Sequence, residues 1–266
     1  MEMMTRRARL TTVIGVSVAL SVILCFLPTV PLGADYHHFA DQRSIFAVPN
    51  GLDVLSNIPF VLIGMWGMAF TLSRRSSSSF LENRERIPYF VFFAGVALTG
   101  VGSAYYHAAP GNLRLVWDLL PMTFSFVSLA DATIVERISP RAGLRLLLPL
   151  LVLGAASVIY WYLGELQGHG DLHFYLFVQF FPPLAIVMMI ALFPPRYSRT
   201  IDLCIAFIFF VLAKLCELSD RLIYSLGSVV SGHTLKHLVA AFSCFWILHM
   251  LQLRRAADSG ESGIVD

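Results

Sequence analysis

The sequence predicts an all-α fold, a polytopic membrane helical bundle with a seven-helix core and one extra N-terminal transmembrane helix. Three observations point there. Of 266 residues, 57% are hydrophobic and only 14% charged, against about 45–50% and about 25% in soluble domains. The mean hydropathy is +0.71. Eight apolar runs, each near the ~20 residues that carry a helix across hydrocarbon, are separated by short polar stretches and lack the alternation of barrel strands. A soluble enzyme, a disordered chain and a nucleic-acid binder are excluded, since a net charge of +2 implies no polyanionic partner.

The first run, 10–31, follows Arg6, Arg7 and Arg9. It is longer than the ~7–15 residues of a signal-peptide core, and Leu32-Gly33-Ala34 is a poor cleavage site, so residues 1–34 read as a cytoplasmic segment plus an uncleaved anchor. The runs 52–73, 88–109, 113–134, 143–164, 172–193, 199–220 and 232–253 make up the membrane domain, 35–253, with a cytoplasmic tail over 254–266. Ser76 to Ser79 reads as a flexible linker. Pro182 and Pro183 remove two backbone donors inside the sixth run and predict a kink. The four cysteines, Cys25, Cys204, Cys216 and Cys244, sit in apolar runs at long spacings, which suits neither a disulfide framework nor a thiolate metal site.

Eight spans put Arg6, Arg7, Arg9, Arg74, Arg75, Arg84, Arg86, Arg137, Arg141, Arg145, Arg196, Arg199, Arg254 and Arg255 on one side. The opposite loops hold chiefly Arg43 and Arg221. Lysine and arginine mark the cytoplasmic side, so both termini are expected there.

Seven of the eight histidines then fall at the outer side, with His249 alone toward the cytoplasm. His233 and His237 stand at i, i+4 at the start of the last span, a spacing that puts both imidazoles on one helical face. His107 ends the third span, with Ser103 four residues before it. After Pro110-Gly111 the chain returns and presents Asp118 one to two turns inside the next helix. These segments meet at one depth in the outer leaflet. Three neutral imidazoles with a water in the fourth position make a catalytic zinc set, an adjacent carboxylate can move the water's proton, and a hydroxyl can donate to a developing oxyanion. The same residues can equally form a polar cluster that holds helices together, and spacing alone leaves both readings open.

The stretches Asn50-Gly51-Leu52-Asp53-Val54-Leu55-Ser56-Asn57, Gly100-Val101-Gly102-Ser103-Ala104-Tyr105-Tyr106-His107, Asp118-Leu119-Leu120-Pro121-Met122 and His233-Thr234-Leu235-Lys236-His237 together resemble the alkaline ceramidase family. That family lies within the wider superfamily of seven-helix membrane hydrolases that includes the adiponectin-type receptors. The Asp-Tyr-His-His-Phe-Ala-Asp-Gln-Arg segment and the short loops look most like its bacterial branch. The resemblance implies that His107, His233 and His237 are zinc ligands, and that Asp118 and Ser103 act on the zinc water and the scissile amide oxygen. It also implies an inner-membrane protein with its site near the periplasmic leaflet. The substrate would be a ceramide-like N-acyl lipid drawn from the bilayer and cleaved to a fatty acid and a long-chain amine, with no protein partner. The alternative is a non-enzymatic lipid or signal receptor with a structural zinc. A metal or proton transporter is a further reading, and it lacks polar residues between the outer leaflet and Asp131 or His249.

The resemblance also implies a comparison with the family's eukaryotic members, which carry an acidic calcium-binding segment before the first core helix. Here Asp35, Asp41, Asn50 and Asp53 are the candidates for calcium or a second site, too few carboxylates for the six to eight oxygens calcium prefers. Lys214, Glu217, Asp220 and Arg221 read as a helical charge ladder, or as a cavity wall holding the polar head of a substrate. His37 with His38, and His169 with Asp171 and His173, read as solvated surface, and Lys236 is expected to point away from the two histidines that flank it.

Overall fold

The computed structural model describes residues 4–24 and 26–257. Cys25 and the tail residues 258–266 lie outside the described residues. The helices are α1 (Arg6–Leu24), α2 (Gly51–Leu55), α3 (Ile58–Leu72), α4 (Arg86–Ala108), α5 (Asn112–Arg137), α6 (Pro140–Leu166), α7 (His173–Leu192), α8 (Ile201–Leu218), α9 (Asp220–Ser225) and α10 (Gly232–Leu253). No strand forms among the described residues.

Seven segments among the described residues are long and apolar enough to cross a membrane: α1, α2 with α3, α4, α5, α6, α7 and α10. The chain is an integral multi-pass membrane protein. The expected run 199–220 also folds as a helix, α8, whose 18 residues carry three charged side chains, Asp202, Lys214 and Glu217. It nevertheless joins the two ends of the bundle. Asp202 is paired with Arg199 (2.5 Å) at one end, and Glu217 with Lys236 (3.1 Å) at the other.

Two expected runs are interrupted. Run 52–73 is two helices with a turn at Ser56–Asn57, because Pro59, near the start of α3, has no N–H to continue the ladder from α2. Run 199–220 stops at Leu218, and the chain restarts as α9. The i, i+4 pair Glu217–Arg221 is therefore not formed as a ladder: Glu217 turns to Lys214 and Lys236, and Arg221 lies 4.0 Å from Asp35. Helix α7 runs through both Pro182 and Pro183. Ser76 to Ser79 form part of a 3-10 turn with Ser76 and Ser79 buried, not a free linker.

Side-chain contacts sort the loops into two ends, in the partition the arginines predict. At one end Arg6 donates to Ile138 O (2.9 Å), Arg137 to Phe193 O (2.7 Å), and Arg196 pairs with Glu85 (3.1 Å). Arg254 is buried there between Glu136 and the Tyr197 ring, and the residues beyond it pair with the strand-like segment at Tyr197, Ser198 N donating to Arg255 O at 2.9 Å. At the opposite end Val30 N donates to Asp171 (3.0 Å), His37 meets Tyr106 and Asn112, and Ala40 N donates to Asp220 (3.1 Å). Between the ends, Phe60, Tyr89, Phe93, Val96, Leu248 and Leu251 pack α3, α4 and α10 together. Leu148, Val152 and Ile159 of α6 and Ile14, Val18 and Val22 of α1 face outward, as lipid-facing side chains do, while Leu10 and Val13 of α1 pack toward α7.

Candidate metal centre and active site

His107 closes the last turn of α4, and His233 and His237 open α10. All three are shielded from solvent, and each offers a ring nitrogen within 4.8 Å of the other two. His107 Nε2 lies 3.2 Å from His233 Nε2. The ring centroids are 4.7 to 4.9 Å apart. Among the described residues this is the one such group.

The segment around α2 braces it. Ser56 Oγ lies 2.8 Å from His237 Nδ1 and donates to Asp53 O at 3.1 Å. A hydroxyl has one proton, so Ser56 accepts from His237 Nδ1–H, which leaves Nε2 free as an acceptor. Asn57 Nδ2 donates to the same carbonyl (2.7 Å), and Asn50, in the left-handed region at φ 49°, donates its amide to His107 O at 2.9 Å. The Asp53 carboxylate accepts from Thr234 Oγ1 (2.6 Å) at the start of α10, where the helix dipole favours negative charge. Ser231 caps that helix, its Oγ accepting from Thr234 N at 3.0 Å. Gly232 lets α10 begin against the end of α8: a Cβ there would come 2.2 Å from Cys216 O.

These observations fit a borderline cation such as zinc. Two ring nitrogens face each other at hydrogen-bonding distance while His237 spends its proton elsewhere, and His107 Nδ1 is buried without a partner. The residues weighed for calcium do not gather. Asp35 is exposed beside His38, Asp41 is forked by Arg43 (2.8 and 2.7 Å), and Asn50 and Asp53 are engaged as above. The Arg43 hydrogen bonds hold the Asp41 carboxyl below the usual range.

Ser103 and Asp118 are brought together by a close crossing of α4 and α5. A Cβ on Gly102 would sit 1.9 Å from Trp117 O and 3.4 Å from Asp118 N, so only glycine admits this approach. Ser103 lies beside the Asp118 carboxylate, and both line a cavity of about 530 Å³ that His233 and His237 also line. Lys214, Glu217, Asp220 and Lys236 form its polar wall. Lys236 does not point away from the histidines, as the sequence suggested. Three residues after His233, it shares that helical face, and its Nζ lies 2.9 Å from His233 Nε2 and 3.1 Å from Glu217.

Sequence reasoning missed Phe39, whose ring lies 4.6 Å from that of His107 and 4.8 Å from that of His233. It also missed the bracing role of Ser56. His37 and His38 do not act as a pair: His37 is held by Tyr106 Oη (2.9 Å) and Asn112 Oδ1 (2.8 Å), while His38 faces Asp35. Asp171, expected as solvated surface, is tied to the backbone of Val30 and His173 at 3.0 Å each.

A family model described as Ceramidase matches residues 50–264, from the residue before α2 into the tail. No curated protein and no solved structure matches the chain.

Proposed function

Because the chain belongs to the ceramidase family, and is thereby a hydrolase acting on the amide bond of ceramide, we propose that it is a zinc-dependent intramembrane amidohydrolase of N-acyl lipids. His107, His233 and His237 would hold the zinc. Bound there, zinc supplies Lewis acidity and makes a water acidic near neutral pH. Asp118 takes the proton of the attacking water and returns it to the departing amine nitrogen, as a buried carboxylate can when its partner changes charge. Ser103 lies beside that carboxylate and donates its one hydroxyl proton to the amide oxygen as negative charge grows there.

The lower cavity is apolar, with Phe92, Leu129, Phe207 and Ile247 among its walls, and it suits an acyl chain. Its lining passes from α7 to α8, where Phe180 and Phe210 meet at 6.3 Å, and the chain would arrive from the bilayer between them. The arginine-rich end faces the cytoplasm with both termini, and the site lies near the outer leaflet of a bacterial inner membrane.

The observation that carries this reading is the convergence of three histidines from two helices beside a cavity containing Asp118 and Ser103. The test is metal analysis of the purified protein together with mass-spectrometric detection of fatty acid and amine released from ceramide. Active protein without zinc would sink the metal assignment, and zinc-loaded protein releasing no product would sink the hydrolase.

A further inference from the structure

The chain has two lysines, Lys214 of α8 and Lys236 of α10, and both line the cavity. They share the Glu217 carboxylate, with Nζ 2.7 Å from Oε2 and 3.1 Å from Oε1 respectively. The Asp118 carboxylate lies in the field of both ammonium groups, and more strongly in that of Lys236. Two cations therefore face two carboxylates. The further acid on this wall, Asp220, is engaged by the backbone, accepting from His233 N (2.7 Å) and Ala40 N (3.1 Å).

The two lysines differ in reach. Lys214 lies over the Phe180 ring of α7 at 5.7 Å. Lys236, whose side chain is 17% exposed, reaches the histidine cluster, with Nζ 2.9 Å from His233 Nε2. A cation held by the cluster claims that nitrogen, and the N–H that Lys236 donates there is released beside the site. An ammonium has three N–H donors, and Glu217 takes one of them.

We infer that Lys236 is a catalytic residue: its ammonium donates, together with the Ser103 hydroxyl, to the amide oxygen as that oxygen becomes an oxyanion. The inference rests on the hydrolase reading and adds a residue to it. It concerns the scissile group alone, so it holds for a lipid with a neutral head such as ceramide. When water attacks the carbonyl carbon, its oxygen forms the new C–O bond, its proton goes to Asp118, and the carbonyl π pair moves onto oxygen. Asp118 becomes neutral in the step that makes the amide oxygen negative. The anion that Lys236 faces thus moves from the cavity wall to the bound amide, and the charge around the two lysines stays balanced. A donor already aimed by Glu217 meets that oxyanion without rearranging, which is how preorganised groups stabilise a transition state. The oxygen then returns its pair to carbon, the C–N bond breaks with its pair on nitrogen, and Asp118 gives the proton to nitrogen. A carboxylic acid and an amine leave, and Lys236 keeps its protons throughout.

The test uses the full chain in nanodiscs, with ceramide and a ceramide analogue in which a tetrahedral phosphinate, carrying P–O⁻, replaces the amide. Turnover is read by product release on zinc-loaded protein. Binding is read by native mass spectrometry, for the phosphinate on zinc-loaded protein and for ceramide on metal-depleted protein, which cannot turn it over. Lys236→Met should lower kcat about a hundred- to a thousandfold, the scale of one lost oxyanion donor, with KM near that of wild type and zinc still at one per chain. Phosphinate binding should weaken by about the same factor while ceramide binding barely changes, because the lost contact belongs to the transition state. Lys236→Arg, which keeps the charge, should recover part of both losses. An unchanged kcat, or equal weakening of the two ligands, overturns the assignment. So does loss of zinc from Lys236→Met, which would make the lysine a support for the histidine cluster. If wild type releases no product, the hydrolase reading fails, and the phosphinate measurement still decides whether Lys236 binds a tetrahedral anion.

Discussion

Ser56 Oγ stands 2.8 Å from His237 Nδ1, on a turn that exists because Pro59 breaks the first core span. The hydroxyl fixes the imidazole's tautomer and orientation, and partners of this kind commonly contribute ~10–100-fold to metal affinity. Ser56→Ala is expected to weaken zinc binding by about that factor in a chelator-competition titration, with helicity unchanged. An affinity equal to wild type would mean that Ser56 only packs.

The Asp118 carboxylate lines the cavity beside Ser103, whereas the metal candidates among the described residues are the three histidines alone. The proton and metal roles should therefore separate. Asp118→Asn is expected to lower kcat about a hundred- to ten-thousandfold, the scale of general acid–base catalysis, while zinc content stays at one per chain. Loss of zinc in that variant would assign Asp118 to the metal instead.

How much of this was legible in the sequence follows from what each feature depends on. The spans and the partition of loops depend on local composition: seven of the eight expected runs are long and apolar enough to cross a membrane, and the loops sort into two ends, with Arg6 meeting Ile138 and Arg196 meeting Glu85 at one of them. His233 and His237 are legible because helical geometry alone puts them on one face. The position of Phe39 over the histidines, and the reach of Lys236 to Glu217, depend on how a 26-residue connection and two distant helices dock, which no local pattern encodes. Arg254 was read as tail charge on composition and is buried against Glu136 for the same reason.

Helix crossing at Gly102 should be intolerant of even one methyl group. A Cβ 1.9 Å from a backbone carbonyl cannot be relieved by a rotamer change and must push α4 from α5. Gly102→Ala should cost about 1–3 kcal/mol, read as a lowered Tm in detergent, and should cut activity further by separating Ser103 from Asp118. Gly15→Ala, in α1 with nothing within 4 Å, is the control and should be neutral or slightly stabilising.

Acid should loosen the connection before α2 by a route that can be traced to one pair. Arg43 forks onto Asp41 and lowers its pKa. A carboxyl depressed in the folded state contributes stability above its unfolded pKa, about 3.9, and that contribution is lost as pH falls from there through the folded value. Asp41→Asn should remove this part of the acid dependence, giving a shallower decline of Tm below about pH 4. An unchanged slope would show that Arg43 does not discriminate the charged carboxylate.

Phe39 seals the metal candidates from the outer surface. Its ring is 7% exposed and lies within 4.8 Å of two imidazole rings, and the flanking residues are pinned by His37 to Tyr106 and by Ala40 to Asp220. A chelator reaching the histidines from that side has to displace this ring. Phe39→Ala removes the seal without altering any ring nitrogen, so it should act on rates more than on equilibrium. Zinc loss to excess chelator should accelerate at least about tenfold, corresponding to ~1.4 kcal/mol off the barrier, with a much smaller change in Kd. Phe39→Leu, which keeps the bulk, should fall between. Equal release rates in all three proteins would place the access route elsewhere, through the cavity between α7 and α8.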